Sequence, residues 1–130
     1  MIIHNPAIIN LGHTELLMRD DGLIEIKSTD RTYSVTDIKA IHKAVSELTG
    51  KQKALLLLIA SDYTSIDNDA KNFLSTDEAG LYSIAEAYVI KSLAQRLLLN
   101  FLIKVKGTPV PVKFFTEINP AVTWLKSFKA

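Results

Sequence analysis

The 130-residue sequence contains no cysteine. That excludes a disulfide framework, a thiolate zinc site and a cysteine nucleophile, and it fits a reducing compartment. Glycine is scarce, at five residues, and no glycine-rich stretch offers backbone amides to cradle a phosphate. Neither a Gly-x-Ser-x-Gly elbow nor a dinucleotide fingerprint is present. The longest purely apolar run, Ala54 to Ala60, has seven residues, against the roughly 20 of a membrane-spanning helix. Met1 to Pro6 lacks the basic head, apolar centre and cleavage site of a secretory signal, so a cytoplasmic protein with no membrane insertion is expected.

Charge is nearly balanced, with 15 Lys and Arg against 14 Asp and Glu. The balance hides a pattern. Residues 1–59 hold seven of each sign, residues 60–90 one cation against six carboxylates, and residues 91–130 seven cations against one carboxylate. With no basic run and no aromatic-rich motif, no nucleic-acid partner is expected. At this length the chain reads as a single domain, 1–130, able to bury roughly two thirds of its unfolded surface without a staple.

What is present is a clear order of elements. Ala7 to Leu11 reads as extended, and Leu16 to Arg19 and Leu23 to Lys27 flank Asp21-Gly22, which supplies the positive φ of a hairpin turn. After the turn Ile24 and Ile26 share one face, Glu25 and Lys27 the other. Ser34 and Asp37 form a capping pattern for a helix carrying Val35, Ile38, Ile41, Val45 and Leu48 on one face, with Gly50 to end it. Ala54 to Ala60, apolar without alternation, then predicts a central strand covered on both faces.

A short helix from Asp67 to Leu74 follows, then a second capped segment from Ser75, then a strand at Ala87 to Ile90. Ser92 and Gln95 cap a long helix whose Leu93, Leu97, Phe101 and Val105, flanked by Ala94, Leu98 and Leu102, form a wide apolar stripe expected to lie on the sheet. Pro111 places the last strand, Val110 to Phe115, at a sheet edge, or else stands at the strand's very beginning. Asn119-Pro120 opens a closing helix with Ala121, Trp124, Leu125 and Phe128 inward. The fold class expected is α/β: a mixed sheet of about five strands opening with an antiparallel hairpin, with about four helices packed on it.

The hairpin Asp21-Gly22-Leu23-Ile24, the strand Ala85 to Ile90 running into Ser92 and Arg96-Leu97, the block Asn100 to Ile103 through Pro109 to Phe115, and the ending Ala121 to Leu125 together span most of the chain. In these phrases it resembles the STAS-like proteins, the group named for sulfate transporters and anti-sigma factor antagonists, and more closely their small uncharacterised bacterial members. The resemblance implies a non-enzymatic regulatory module. In anti-sigma antagonists a Ser or Thr in an Asp-Ser-Ser/Thr-Gly turn after the central strand is phosphorylated, and this switches a partner protein. By position the counterpart here is Asp62-Tyr63-Thr64-Ser65, with Ile66 where glycine stands in the family pattern.

Asp62, Tyr63, Thr64 and Ser65 are therefore the candidate phosphorylation or partner-binding residues. In open α/β sheets the loop at the carboxyl end of a central strand is where ligands bind. The competing reading is that these side chains satisfy backbone groups of their own loop. The acidic set Asp62, Asp67, Asp69, Asp77 and Glu78 lacks calcium-loop spacing, and His4, His13 and His42 are scattered, so neither a metal site nor a catalytic site is expected, and no cofactor. His42 falls near the polar boundary of the first helix and is expected at the surface. The expectation is a regulatory protein-binding module with a protein partner and a homodimer among its possible assemblies. The alternative is a small-molecule or lipid-binding module using the same end of the sheet.

Overall fold

Three strands open the fold in the computed structural model, which describes residues 7–129; Ala130 and Met1–Pro6, with the start pattern and His4 read there, lie outside the described residues. Strands β1 (Ile8–Asn10), β2 (Thr14–Met18) and β3 (Ile24–Ser28) pair antiparallel in sequence order. The β2–β3 turn closes through Arg19 and Leu23, with Gly22 at φ 86°, a backbone that side-chain-bearing residues rarely adopt. Ile24 and Ile26 are buried on one face, as their alternation predicts.

A short strand β4 (Thr32–Tyr33) leads into helix α1 (Val35–Thr49). Its capping box is complete: the Asp37 amide donates to Ser34 Oγ at 3.2 Å, and the Ser34 amide donates to Asp37 Oδ2 at 3.0 Å. Gly50 ends the helix in the left-handed region. Strand β5 (Ala54–Ile59) then runs parallel to β3 in the middle of the sheet. Its residues alternate between two cores. Leu55 and Leu57 join Leu23, Ala85, Ala87 and Leu125 on one face, while Ala54 and Leu56 join Leu16, Ile26 and Val45 on the other.

Beyond β5 come β6 (Ser65–Ile66), α2 (Asn68–Phe73), a 3-10 turn at Asp77–Gly80 and β7 (Ser83–Val89). Helix α3 (Leu93–Phe101) continues into a π turn (Leu102–Lys106), followed by β8 (Val112–Phe115) and α4 (Ile118–Lys126). The main sheet has six strands in the order β1-β2-β3-β5-β7-β8, with β8 at the edge and Pro111 just before its first residue. A second, two-stranded sheet, β4 with β6, was not foreseen. Leu58 registers with Tyr88 and Tyr88 with Phe114, which puts the core of α3 on the same sheet face as α1; α4 covers the opposite face. No helix among the described residues is long and apolar enough to cross a membrane.

Three expectations need correction. Thr76 makes no side-chain cap, and the segment after it is a single 3-10 turn instead of a helix. Helix α4 starts at Ile118, so Pro120 sits at its third position. That costs nothing in hydrogen bonding, because the first four amides of a helix have no intrahelical partner. The third correction concerns α3. Leu93, Leu97, Phe101 and Val105 are 65, 60, 41 and 70% exposed, and the buried side chains are Gln95, Leu99 and Leu102. Both faces of this helix are apolar, so hydrophobicity alone leaves its rotation open. Gln95 decides it, through bonds to the loop after β5.

Candidate functional site

The loop Ser61 to Ser65 leaves the carboxyl end of β5 as expected, and groups at the end of β3 and on the loop after it hold it. Asp30 Oδ1 accepts from Ser61 Oγ at 2.5 Å and from the Tyr63 amide at 2.9 Å. Those two donors, the hydroxyl foremost, hold the Asp30 carboxyl below its usual range. Thr64 Oγ1 donates to the Thr29 carbonyl at 2.7 Å, accepts from the Ser61 amide at 3.1 Å and lies 2.8 Å from Ser28 Oγ. Its hydroxyl is fully engaged.

Ser65 differs from its neighbour. It is exposed, with Oγ bonded only to Thr32 Oγ1 at 3.0 Å across the β4–β6 pair. Asp62 is also exposed, and Tyr63 projects with 78% of its surface accessible. The four sequence-chosen residues thus divide: Thr64 builds the loop, whereas Asp62, Tyr63 and Ser65 present their side chains outward.

Gln95, read from the sequence only as a capping residue, joins this loop to α3. Its Oε1 accepts from the Lys91 and Ser92 amides at 2.9 and 3.2 Å. Its Nε2 reaches the carbonyls of Ser61, Asp62 and Thr64 at 2.7, 3.3 and 3.1 Å. A buried amide with both ends satisfied fixes the helix rotation, because turning α3 over would strand these groups. Leu99 and Leu102, four and seven positions on, share the inward face.

The outward face is consequently one continuous row. Leu93, Leu97, Phe101 and Val105 follow at intervals of four. In an α-helix such a row drifts around the axis, and the wider i→i+5 turn at Leu102–Lys106 turns Val105 back beneath it. Beside the first turn of the helix, Tyr63, Ser65, Ala94 and Leu98 border a shallow groove of about 290 Å³. Residues 91–116 carry five cations and no carboxylate. None of the five forms an ion pair among the described residues.

Behind the loop lies a second feature, a partly enclosed cavity of about 120 Å³ between the sheet and α1. Leu56 and Leu58 form part of its floor, Ile41 and His42 part of its roof, and Thr64 its loop-side edge. Glu86 and Tyr88 supply its polar wall. Glu86 Oε2 accepts from Ser83 Oγ at 2.7 Å and Oε1 from the Tyr88 hydroxyl at 2.9 Å. Burial pushes the Glu86 carboxyl above its usual range against those two bonds, and it pushes the Tyr88 hydroxyl well up. His42, expected at the surface, instead faces this cavity and packs on Phe73 with ring centres 6.0 Å apart. Burial lowers its pKa, so its imidazole is held neutral.

The acidic residues are dispersed: Asp67 caps α2 through the Ala70 amide, and Glu78 pairs with Lys39 at 3.7 Å. Among the described residues no three His, Asp or Glu side chains converge on a metal-sized point. In comparisons with known proteins, no curated protein and no solved structure matches the chain. A family model does match, over residues 17–129, which takes in every strand from β3 onward and all four helices. The chain therefore belongs to the family described as a domain of unknown function, DUF7793.

Proposed function

We propose that the chain is a non-enzymatic regulatory module that binds another protein through the outer face of α3 and the adjoining loop. The observation that carries this reading is the exposed row Leu93, Leu97, Phe101 and Val105. Single exposed apolar residues are ordinary, but a contiguous row of large ones on a rigid helix is a feature of interaction surfaces. The resemblance to STAS-like regulators, whose switch loop stands where Asp62 to Ser65 stand here, supports the same end of the molecule.

Charge narrows the partner. A symmetric dimer through this face would set Arg96 and Lys104 against their own copies, so the face suits an acidic amphipathic helix better than a second copy of itself. Such a helix would lay apolar anchors at i and i+4 along the row, and a protruding side chain would fill the groove beside Tyr63. A phosphoryl group on Ser65 would add about −1.5 to −2 charge beside the groove and repel that partner. The unmodified form binds, and the modified form releases. Thr64 is not the switch in this reading, because its hydroxyl is spent within the loop.

The test uses two synthetic helical peptides with identical leucine anchors, one flanked by glutamate and the other by lysine. The acidic peptide should bind the full chain, weaken as salt rises, and be lost with Leu97→Lys. Equal binding of both peptides, or of neither, would sink the reading. Ser65→Glu should weaken the acidic peptide without unfolding the protein.

A further inference from the structure

The cavity beneath α1 belongs to no part of the partner surface, and it holds an unusual group. Glu86 is 8% exposed, and buried glutamates are almost always paired with a cation. Here no Lys, Arg or His side chain among the described residues forms an ion pair with it. Its two oxygens take one neutral hydroxyl each, from Ser83 and Tyr88. A carboxylate has about four acceptor sites, so capacity remains on both oxygens. Most of the remaining lining is apolar, Ile26, Ile38, Ile41, Leu56 and Leu58 among it, with Ser28, Tyr33, His42 and Thr64 as the other polar side chains.

We propose that this cavity is a binding site for a small primary amine, its ammonium on the Glu86 carboxylate and its apolar body against Ile41, Leu56 and Leu58. Size sets the body. The cavity measures about 120 Å³, and an engineered apolar cavity of about 150 Å³ takes up benzene, so one ring or a branched chain of similar bulk fits. Chemistry sets the head. An isolated carboxylate in an apolar chamber is costly, and a ligand cation supplies the countercharge that the fold omits.

The other walls do not compete for Glu86. The remaining titratable groups lining the cavity are His42 from α1, Tyr33 from β4 and Tyr88 beside Glu86 on β7; no Lys, Arg or Asp lines it. Tyr33 already donates to the His13 carbonyl at 2.5 Å. His42 is kept neutral by burial. The Ser83 and Tyr88 hydroxyls both point donors at the carboxyl, which prepares it to receive a cation in its ionised form. Because burial raises the Glu86 pKa in the empty cavity, amine binding strengthens as pH rises through that raised value, for as long as the amine stays protonated.

Benzylamine, benzyl alcohol and toluene share one ring and differ in the head, so titrating each into the full chain by NMR at pH 7.5 tests the proposal. Benzylamine should bind at least tenfold more tightly than either neutral probe, with shifts centred on Leu58, Ile41 and Glu86. Toluene binding as well as benzylamine, or failure of all three to bind, overturns it. In Glu86→Gln the preference for the amine should vanish while toluene still binds; a preference that survives also overturns it. Leu58→Phe fills the chamber and should abolish binding of every probe. Retained binding there would put the amine elsewhere and refute the site.

Discussion

Thr64 and Ser65 are neighbours with the same functional group, and their surroundings give them opposite consequences. Thr64 Oγ1 has three partners, two of them backbone groups. Removing it orphans those groups, so Thr64→Ala should lower stability by about 1–3 kcal/mol. Ser65→Ala touches one exposed hydroxyl and should stay within about 0.5 kcal/mol. Chemical denaturation of the two variants side by side checks this, and similar losses would refute the division. In the sequence both residues share one position after the central strand, and nothing local separates them. The partners that distinguish them, Ser28 and Thr29, lie some 35 residues upstream and meet Thr64 only when β3 and β5 pair. Glu86 was passed over for the same reason. Its own strand segment carries no sign of the layer that buries it, which comes from α1 and α3.

Most single elements were legible, because their signals are local. Capping boxes at Ser34 and Ser92, the turn at Gly22 and the stop at Gly50 each depend on residues within a few positions. The rotation of α3 was not legible, since two of its faces are equally apolar and the tie is broken by carbonyls of a distant loop. That correction has a direct check. Leu99→Ala should cost about 2–5 kcal/mol, whereas Leu97→Ala should stay within about 0.5 kcal/mol. If Leu97 proves the costlier of the two, the outward row is part of the core and the proposed partner surface disappears. Packing between elements yields a second check at Gly80, where an added Cβ would come within 2.9 Å of the Pro109 ring. The 3-10 turn and the segment after the π turn cannot both hold their places, so Gly80→Ala should lose about 1–3 kcal/mol by thermal melting. An unchanged melting temperature would mean that the two segments are free to separate.

Over the whole molecule, paired carboxylates and one unpaired buried carboxyl give stability a pH dependence with opposing parts. Burial raises the Asp21 carboxyl, but the Leu23 amide, Arg19 and Lys126 together outweigh it and hold the pKa below 3.8. The Ser34 amide, with Arg31 and His13, does the same for Asp37 against its own burial. Their folded pKa values are depressed, so their stabilisation is present above the unfolded value and is lost as pH falls through the folded one. Glu86 runs the other way. Its folded pKa lies above 4.5, so between 4.5 and that value the unfolded chain gives up a proton that the folded chain keeps. Stability therefore falls as pH rises through that window, by at most about 1.4 kcal/mol per pH unit, and levels off above it. His42 opposes this, because a depressed imidazole adds stability as pH rises towards 6.5. The two are separated by substitution. Glu86→Gln keeps an amide among the same hydroxyls but cannot ionise, so its melting temperature should match the wild type near pH 4, pull ahead as pH rises through the raised Glu86 pKa, and keep that lead above it. The expected gain is about 4 °C for each kcal/mol at this size. A difference that stays constant across pH 4 to 8 would mean that the Glu86 carboxyl titrates alike in the folded and unfolded chain, with no penalty for sealing it beneath α1.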